Sequence, residues 1–566
     1  MNHEFGLRVE EGSVMGEFSV SKRSKVLRFS VWWLIMAYAV LFMINRIFSW
    51  EATDKIMGYV IVEDLQTGFF IWAIFLSLLG FYDVWQRKHS ILRNYPVIGH
   101  FRYLIELVRP ELRQYLLESD EESVPFSRAQ RSLVYQRAKN LPSEQAFGSI
   151  LDVYATGYEF LSHSLTPVSR SAPETFRIGI GNAQCAHPYS ASIFNISAMS
   201  FGSLSANAIR ALNAGARRGN FYHDTGEGCI SPYHLEHEGD LVWELGSGYF
   251  GCRDEKGNFD PARFAEKAAM PGVKMIEIKL NQGAKPGHGG ILPKEKITPM
   301  VSKVRGIPMG QDCVSPSAHS AFHTPLQLLE FVQKLRELSQ GKPVGFKLCV
   351  GRPSEFMGIV KAMLQTGIYP DFIIVDGAEG GTGAAPVEFA NHMGMPLREG
   401  LLLAHNTLVG TGLREHVRIG ASGKIISAFD IARALALGAD WANSARGFLF
   451  ALGCVQSMSC QNNKCPTGVA TQDEERQKAL DVVNKTERVF RFHYNTLHSL
   501  SEMLAAAGFT HPADIRPEHL LVRVSEVEVQ TYAQRYEYLL PGALLAGADV
   551  HPFYSEAWNR ASAEAF

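Results

Sequence analysis

The segment from about Glu174 to Ala470 alternates short apolar runs with amphipathic helical runs, and this alternation restricts the fold more than any other feature. The runs predicted as strands are IFNISAM from Ile193, KMIEIKL from Lys274, PVGFKLCV from Pro343, DFIIVDG from Asp371 and HVRIGAS from His416. Apolar strands separated by helices are typical of parallel α/β folds. A (β/α)8 TIM barrel takes about 250 residues or more, so one barrel is predicted. An open doubly wound sheet is the alternative, disfavoured because no strand is followed by GxGxxG or a Walker loop.

Three glycine-rich segments follow predicted strands, at the ends where a barrel keeps its functional residues. They are MSFGSLS from Met199, DGAEGGTGAAP from Asp376 and ASGKI from Ala421. The last two follow late strands, and the loops after strands 7 and 8 of a barrel commonly bind phosphate through backbone N–H groups. We therefore expect a phosphate site there rather than two simple turns.

The composition excludes several classes of protein. The chain has 55 Lys and Arg against 57 Asp and Glu, a net charge of −2, so it is not a basic nucleic-acid binder. Eight cysteines in 566 residues are too few for a disulfide scaffold. With 46% hydrophobic residues the chain can bury a large core, as a globular enzyme does.

Two apolar runs lie near the amino terminus. FSVWWLIMAYAVLFMIN lies between Arg28 and Arg46, and TGFFIWAIFLSLLGFY runs from Thr67 to Tyr82. Each is near the lower limit of about 17 residues for a spanning helix. They predict a transmembrane hairpin, which we favour over a signal peptide or a buried helical hairpin. Basic residues before the first run and after the second place both ends in the cytoplasm.

These features divide the chain into five predicted parts. Residues 1–28 form a cytoplasmic leader, 29–88 the hairpin in the cell (inner) membrane, 89–165 a helical connecting subdomain, 166–472 the barrel, and 473–566 a helical C-terminal extension. The catalytic part is then expected in the cytoplasm, which agrees with the sparse cysteines.

A cysteine cluster follows the last barrel-like helix. Cys454, Cys460 and Cys465 are spaced C-x5-C-x4-C, and Pro466 comes directly after the third. A structural zinc site normally takes four ligands, and this loop holds no fourth Cys or His. Thiolate clusters followed by Cys-Pro indicate iron–sulfur ligation, and three cysteines suit a cluster of three irons. Three buried structural thiols are the alternative.

These motifs together resemble the synthase domain of the glutamate synthase family. The likeness runs from Ile193 through Gln472 and includes MSFGSLS, TGEG from Thr225, EIKLNQGAKPGHGGILP from Glu277, EGGTGA from Glu379 and CPTGVATQ of the cysteine loop. The amino-terminal part resembles the short, membrane-anchored relatives that lack a glutaminase domain. The resemblance implies a barrel that binds FMN next to a 3Fe-4S cluster held by the three cysteines.

Matching the family's motifs position by position gives the expected site residues. The flavin is expected along Ser200, Phe201 and Gly202, with Lys347 near the isoalloxazine, where a cation stabilises the reduced flavin. Its phosphate is expected at Gly380, Gly381, Thr382, Gly383, Ser422 and Gly423. For a 2-oxo acid, the matching residues are Glu227, Lys279, Gln282, Lys285 and Arg305. Such a dicarboxylate needs cations, and arginine can bind a carboxylate through two hydrogen bonds.

Three blocks depart from the family's pattern. KPGHGGI has His288 and Ile291 where the family has Glu and Gln, and TGEGC has Cys229 where the family has Gly. SPSAHSAFHT, from Ser315, lacks one His and the Asp. Because losing a substrate-contacting amide changes discrimination, we expect His319, Ser320 and His323 to read a somewhat different substrate.

The expected function is reductive amination of a 2-oxo acid, 2-oxoglutarate to glutamate, by flavin chemistry at a C=N bond. The chain starts Met-Asn-His without a glutaminase half, so nitrogen would come from free ammonia, another subunit or an amine. Electrons would pass to or from a ferredoxin-like protein or a quinone. Two alternatives remain open: an amino acid or amine dehydrogenase that reduces quinone, and a non-enzymatic redox-sensing membrane protein.

Overall fold

The computed structural model describes residues 32, 34–44, 57–86, 90–113, 125–547 and 550–566. They form two compact units, Met1–Ser119 and Asp120–Phe566. This division cuts through the predicted connecting subdomain 89–165. Its second half belongs to the larger unit because helix Arg128–Lys139 packs along helix Val482–Ala507.

The smaller unit is helical. Its helices are Leu34–Ile44, Met57–Trp85, Ser90–Asn94 and Ile98–Leu112. The first two contact each other through aromatic rings, with centroids 4.8 Å apart for Phe42 and Phe70 and 5.0 Å for Trp32 and Phe81. Within the described residues, Thr67–Trp85 is long and apolar enough to cross a membrane, whereas Leu34–Ile44 is apolar but short. The predicted leader 1–28 lies outside the described residues.

The larger unit is built on a closed barrel of eight parallel strands, numbered here in chain order. They are β1 Phe194–Ile196, β2 His223–Asp224, β3 Leu241–Leu245, β4 Val273–Lys279, β5 Val344–Leu348, β6 Phe372–Asp376, β7 Arg418–Ser422 and β8 Trp441–Ser444. Each strand pairs with the next, and β8 closes on β1 through Ala442 beside Phe194. The predicted TIM barrel is confirmed, and it contains all five predicted strands.

Helices surround the barrel, and the longer ones bury apolar faces against it. They are Ala206–Gly219, Pro232–Leu235, Pro261–Ala268, Pro299–Arg305, Pro325–Leu338, Pro353–Thr366, Val387–His392, Leu397–Gly410, Ala428–Ala436, Arg446–Leu452 and Val482–Ala507. Several begin at a serine or threonine whose side chain accepts a hydrogen bond from the first turn, as Ser205 and Thr324 do. An N-cap fixes where each helix starts and therefore how long the preceding loop is.

A β-hairpin lies at the amino-terminal end of the barrel. Its strands, Arg177–Ile180 and Tyr189–Ser192, pair antiparallel. Ile180 packs there with buried barrel residues, including Tyr222, Phe372 and Trp441. This end is filled with side chains, so the strand ends that can bind ligands are at the opposite, carboxyl-terminal rim.

The C-terminal extension differs from the predicted helical tail. Its long helix Val482–Ala507 packs along Ala206–Gly219 as part of the barrel's outer layer. Strands Leu520–Arg523 and Val529–Thr531 then form a three-stranded antiparallel sheet with Glu159–Leu161. These two strands are short, and one of them pairs with a segment far away in the chain. They therefore leave no recognisable strand pattern in the sequence, and the whole extension was expected to be helical.

We expect replacement of Asp371 to destabilise the barrel without altering its functional rim. This fully buried carboxylate, before β6, accepts hydrogen bonds from Arg336 at 3.1 Å and from the backbone N–H groups of Val344 and Asn182, both at 2.8 Å. Breaking a buried ion pair costs about 3 kcal/mol or more. In thermal unfolding, Asp371→Asn should therefore melt several degrees below the wild type. The exposed control Glu330→Gln should not, and equal melting temperatures would contradict this role.

Candidate active site

The interior of the barrel holds one buried charged cluster. The Lys347 ammonium, on β5, contacts Glu244 of β3 and lies 3.1 Å from Glu277 of β4. Asp224, on β2, offers a carboxylate oxygen within 4.8 Å of oxygens of both glutamates. All four side chains are buried, so their charges are poorly screened.

The four groups of this cluster shift one another's pKa values. Burial by itself would lower the pKa of Lys347, but Glu244, Glu277 and Asp224 outweigh it and raise that pKa well above its ordinary value. Burial raises the pKa of Glu277 well above its ordinary value and that of Asp224 to about 7. Although three carboxyls could hold a metal ion, the ammonium of Lys347 already supplies the cation between them.

Glu227 and Lys279 form an ion pair at the carboxyl-terminal rim. Their Oε2 and Nζ atoms are 3.1 Å apart, and Lys279 also donates to Gln282 Oε1 at 2.7 Å. Burial would raise the pKa of Glu227, but Lys279 and Arg305 outweigh it and hold the pKa below its ordinary value. Glu227 is therefore an ionised carboxylate near neutral pH.

Glycines keep the Glu227 carboxylate in place. A Cβ at Gly290 would lie 1.9 Å from Glu227 Oε1, and one at Gly246 would lie 2.9 Å from Oε2. Any larger residue at Gly290 would push the carboxylate aside. The departures His288 and Ile291 lie close to Gly290 along the chain, and the half-buried His288 ring contacts the edge of Phe389.

Arg305 joins this region to the predicted flavin segment. Its guanidinium donates to Ser200 Oγ at 3.2 Å and to the Phe201 carbonyl at 3.0 Å. A Cβ at Gly202 would lie 3.2 Å from the same guanidinium. Arg305 is buried, and its Nε makes no hydrogen bond within the described residues. The predicted residues Ser200, Phe201 and Gly202 are therefore next to the predicted substrate cations.

Lys285 is a second buried cation near Glu227. Its ammonium donates to the Ala384 carbonyl at 3.0 Å, which ties the β4 loop to the glycine-rich loop after β6. Burial and the nearby Lys279 lower the pKa of Lys285 to about 8. Three cations, Lys279, Lys285 and Arg305, thus act on the carboxylate of Glu227, and an additional anion would relieve this excess of positive charge.

A cleft lies between the ends of β7 and β8, where the phosphate site was expected. It encloses about 260 Å³, open to solvent, and its lining includes the predicted residues Gly380, Ser422 and Gly423. Gly381 packs against Arg446, because a Cβ there would lie 2.7 Å from the arginine Nε. Thr382 and Gly383 do not line the cleft.

Sequence reasoning missed two cations in this cleft. Lys424 and Arg446 both line it, beside the ring of Phe126, whose centroid is 4.7 Å from the Arg446 guanidinium. Burial lowers the pKa of Arg446 to about 10, so it remains charged. The signal was weak because Arg446 follows β8, whose sequence WANS lacks an apolar run.

The cysteine loop starts where helix Arg446–Leu452 ends at the left-handed residue Gly453. Burial would raise the pKa of Cys465, but hydrogen bonds from the Thr467 side chain and the backbone N–H groups of Thr467, Val469 and Ala470 lower it. Such donors favour a thiolate ligand. All three cysteines of this loop have free thiols.

The cysteine loop is attached directly to the predicted flavin segment. The Ser205 N–H donates to the Val469 carbonyl at 2.9 Å. Gln472 Nε2 donates to the carbonyls of Gly202, at 3.1 Å, and Leu204, at 2.7 Å. These hydrogen bonds place the segment after β1 beside the residues that follow the third cysteine.

The helix Arg128–Lys139, which showed no functional pattern in the sequence, supports the cysteine loop. Tyr135 donates its hydroxyl hydrogen to the Cys454 carbonyl at 2.6 Å. Arg131, which is buried, acts electrostatically to lower the pKa of Cys454, although burial outweighs it and raises that pKa to about 12. This contact joins positions far apart in the chain, so local periodicity could not indicate it.

The structure gives His319 a different role from the expected substrate contact. Its ring accepts a hydrogen bond from the Tyr249 hydroxyl at 2.9 Å and donates one to the Lys279 carbonyl at 2.8 Å. Burial lowers its pKa to about 4, so the ring is neutral. Both nitrogens are occupied, and His319 anchors its loop to the end of β4. Ser320 and His323 are exposed.

We expect Gly290→Ala to impair catalysis selectively, because its methyl group would displace the Glu227 carboxylate. A displacement of about 1 Å can cost roughly 100-fold in turnover. The matched control is Gly351→Ala, where a Cβ has no neighbour within 4 Å. Steady-state turnover of 2-oxo acid and ammonia should fall in the first variant alone, with equal melting temperatures. Full activity in Gly290→Ala would contradict the site.

Comparison with known proteins agrees with these motifs. The model of the conserved region in glutamate synthase matches residues 172–510, more than half of the chain. The glutamate synthase large subunit-like protein YerD of Bacillus subtilis is 37% identical over 482 residues, which cover 78% of this chain and 91% of that protein. A flavocytochrome b2 structure has 14% identity and a TM-score of 0.38, covering 80% of this chain and 91% of that one, and nothing about function follows from it.

Other relatives are similar over the barrel. The archaeal-type glutamate synthase (NADPH) of Thermotoga neapolitana is 33% identical over 320 residues, 56% of this chain and 60% of that protein. The archaeal glutamate synthase (NADPH) of Methanocaldococcus jannaschii is 34% identical over 324 residues, 57% and 60% of the two chains. This chain therefore spans less than two thirds of the length of these two relatives. The family match and the similarity to YerD together show that the chain belongs to the glutamate synthase family and is an oxidoreductase of that type.

Proposed function

We propose that this chain is an FMN- and iron–sulfur-dependent oxidoreductase that reductively aminates a 2-oxo acid, with 2-oxoglutarate as the first candidate. The observation that carries the proposal is the direct attachment of the cysteine loop to the segment after β1, through Ser205 and Gln472. The same segment contacts Arg305 of the cationic site. The proposed redox and substrate groups would therefore meet at one rim of the barrel.

The cleft between β7 and β8 fits the phosphate of FMN. Lys424 and Arg446 supply positive charge, and Gly380 and Gly423 let the backbone approach an anion closely. Lys347, in the barrel interior, is the cation proposed to act on the isoalloxazine ring. When bound, FMN would supply hydride transfer to the carbon of a C=N bond.

The cysteine loop fits a 3Fe-4S cluster better than a zinc ion. Cys460 and Cys465 act electrostatically on Cys454, and the loop offers three thiols where a structural zinc ion takes four ligands. The amide N–H groups directed at Cys465 resemble the hydrogen bonds that tune cluster sulfurs. Such a cluster would supply one-electron transfer.

The cations at the rim suit a dicarboxylate. Arg305, Lys279 and Lys285 would bind the two carboxylates of the 2-oxo acid, as their shared proximity to Glu227 suggests. Because Glu227 is ionised, it would hold ammonium, or the protonated nitrogen of the imine formed from it, next to the carbonyl carbon. The overall reaction consumes 2-oxo acid, ammonium, two electrons and two protons, and it releases amino acid and water.

Anaerobic stopped-flow reoxidation tests the proposed reaction. The detergent-purified, dithionite-reduced chain is mixed with 2-oxoglutarate, with and without ammonium, while flavin absorbance is followed. We expect ammonium-dependent reoxidation with glutamate as the product. Failure to reoxidise, in a chain that carries FMN and iron, would refute it and favour oxidation of an amine or amino acid by the same site.

Replacement of one cysteine should separate the two cofactors. Cys460→Ser removes a proposed cluster ligand but leaves the cleft between β7 and β8 intact. We expect loss of iron and of the iron–sulfur absorbance, with FMN retained. Cys185→Ser is the control. This thiol contacts the Gly341 carbonyl, before β5, and is not part of the cysteine loop. Iron retained in Cys460→Ser would contradict the ligand assignment.

We also propose that the amino-terminal part anchors the chain in the cell membrane, with the barrel in the cytoplasm. Helix Thr67–Trp85 is 19 residues long, and many of its apolar side chains are exposed, including Phe69, Trp72 and Leu78. The ring contacts between Phe42 and Phe70 support a pair of helices. An anchor would suit exchange of electrons with a membrane carrier such as a quinone, and a ferredoxin-like protein is the alternative partner.

Membrane fractionation checks the anchor. We expect the full chain to sediment with membranes, to resist alkaline carbonate extraction and to be released by detergent, because lipid would cover the exposed apolar side chains of Thr67–Trp85. A known peripheral membrane protein in the same preparation is the control for extraction. Release of the chain by carbonate alone would contradict a transmembrane anchor.

A further inference from the structure

Lys296 is a buried cation without a carboxylate partner. It ends the short 3-10 helix Lys294–Lys296, and only 3% of its surface is exposed. No Asp or Glu of the described residues forms an ion pair with it, in contrast to Lys347, which contacts two glutamates. Burying an unpaired ammonium is costly, so an anion is expected nearby.

The two hydrogen bonds of the Lys296 ammonium show where that anion would be. One goes to the Ser203 carbonyl and the other to the Ala470 carbonyl, both at 2.9 Å. The backbone of the same Ala470 also acts to lower the pKa of Cys465, a proposed cluster ligand. Lys296 is therefore hydrogen-bonded to the cysteine loop through the Ala470 carbonyl. It is also hydrogen-bonded to the segment after β1 through the Ser203 carbonyl.

Other contacts hold Lys296 at this place. Asn463, within the cysteine loop, donates to the carbonyl of Glu295, the residue before Lys296, at 3.1 Å. The nearby groups that can carry negative charge are the thiols of Cys460 and Cys465. The ammonium is thus fixed between the segment after β1 and the cysteine loop, near enough for the thiols of Cys460 and Cys465 to act on it electrostatically.

We propose that Lys296 is a positioning residue that supplies the counter-charge of the iron–sulfur cluster, stabilises its reduced form and raises its reduction potential. The inference rests on the proposed cluster and goes beyond it, because Lys296 lies outside the cysteine loop. A cluster with three thiolates is anionic, and uptake of one electron makes it more negative by one charge. A fixed cation at short range in a poorly screened interior favours that added charge.

The test is an anaerobic potentiometric titration of the detergent-purified full chain, in which the EPR signal of the oxidised cluster is followed. The variants are Lys296→Gln, which removes the charge, and Lys296→Arg, which keeps it. Lys294→Gln is the matched control, because Lys294 is exposed on the same turn. Iron and FMN contents are measured for every protein before titration.

We expect Lys296→Gln to weaken reduction of the cluster by about tenfold or more, which corresponds to about 59 mV for one electron. Lys296→Arg and Lys294→Gln should stay close to the wild type. Loss of iron in Lys296→Gln with retention of iron in Lys296→Arg would also support the counter-charge, because arginine keeps the positive charge of the lysine and glutamine does not.

Two results would overturn the inference. One is an unchanged potential in Lys296→Gln with full iron content, and the other is equal loss of iron from both Lys296 variants, which would indicate a requirement for shape rather than charge. A wild-type chain that holds FMN but no iron would instead refute the proposed cluster itself. The iron analysis of the wild type therefore distinguishes the two failures.

Discussion

Closure of the barrel between β8 and β1 is the constraint on which the functional rim depends. Because Ala442 pairs with Phe194, the first and last strands are neighbours, and the loops that follow them meet although they are far apart in the chain. The cysteine loop can then attach to the segment after β1 through Ser205 and Gln472. An open sheet would leave these two segments at opposite edges.

The rim is arranged around fixed positive charge. Inside the barrel, Lys347 contacts Glu244 and lies 3.1 Å from Glu277. Towards the rim the balance changes, since one carboxylate, Glu227, faces Lys279, Lys285 and Arg305. Three further cations form no ion pair with a carboxylate among the described residues: Lys424 and Arg446 at the cleft between β7 and β8, and Lys296 beside the cysteine loop. Each place suits a different proposed anion. The cations around Glu227 suit a dicarboxylate, the cleft between β7 and β8 suits a phosphate, and Lys296 suits an anionic cluster.

Local sequence patterns were sufficient for strands with apolar runs and insufficient for the others. The five predicted strands are buried on both faces, as Val344–Leu348 is. The missed strand β2 has two residues, and β8 is the polar sequence WANS. In β3, Glu244 interrupts the apolar run, and its burial makes sense only through Lys347, more than one hundred positions away. No local period can show such a contact.

The candidate site shows the same limit. Motif matching located Glu227, Lys279, Lys285 and Arg305, which the fold brings together. It did not locate Arg446, Lys424 or Arg131, because the contacts that make each of them relevant are with residues distant in the sequence. For His319 it gave the wrong role, since the hydrogen bonds from Tyr249 and to Lys279 depend on how two loops pack.

In the proposed enzyme, one chain holds a flavin and an iron–sulfur cluster side by side at this rim. Stepwise anaerobic reduction of the purified full chain, with absorbance and EPR recorded on the same sample, tests it most directly. We expect flavin bleaching and loss of the oxidised-cluster signal in the same protein, with three irons and one FMN for each chain. Flavin bleaching in a chain that contains no iron would contradict it.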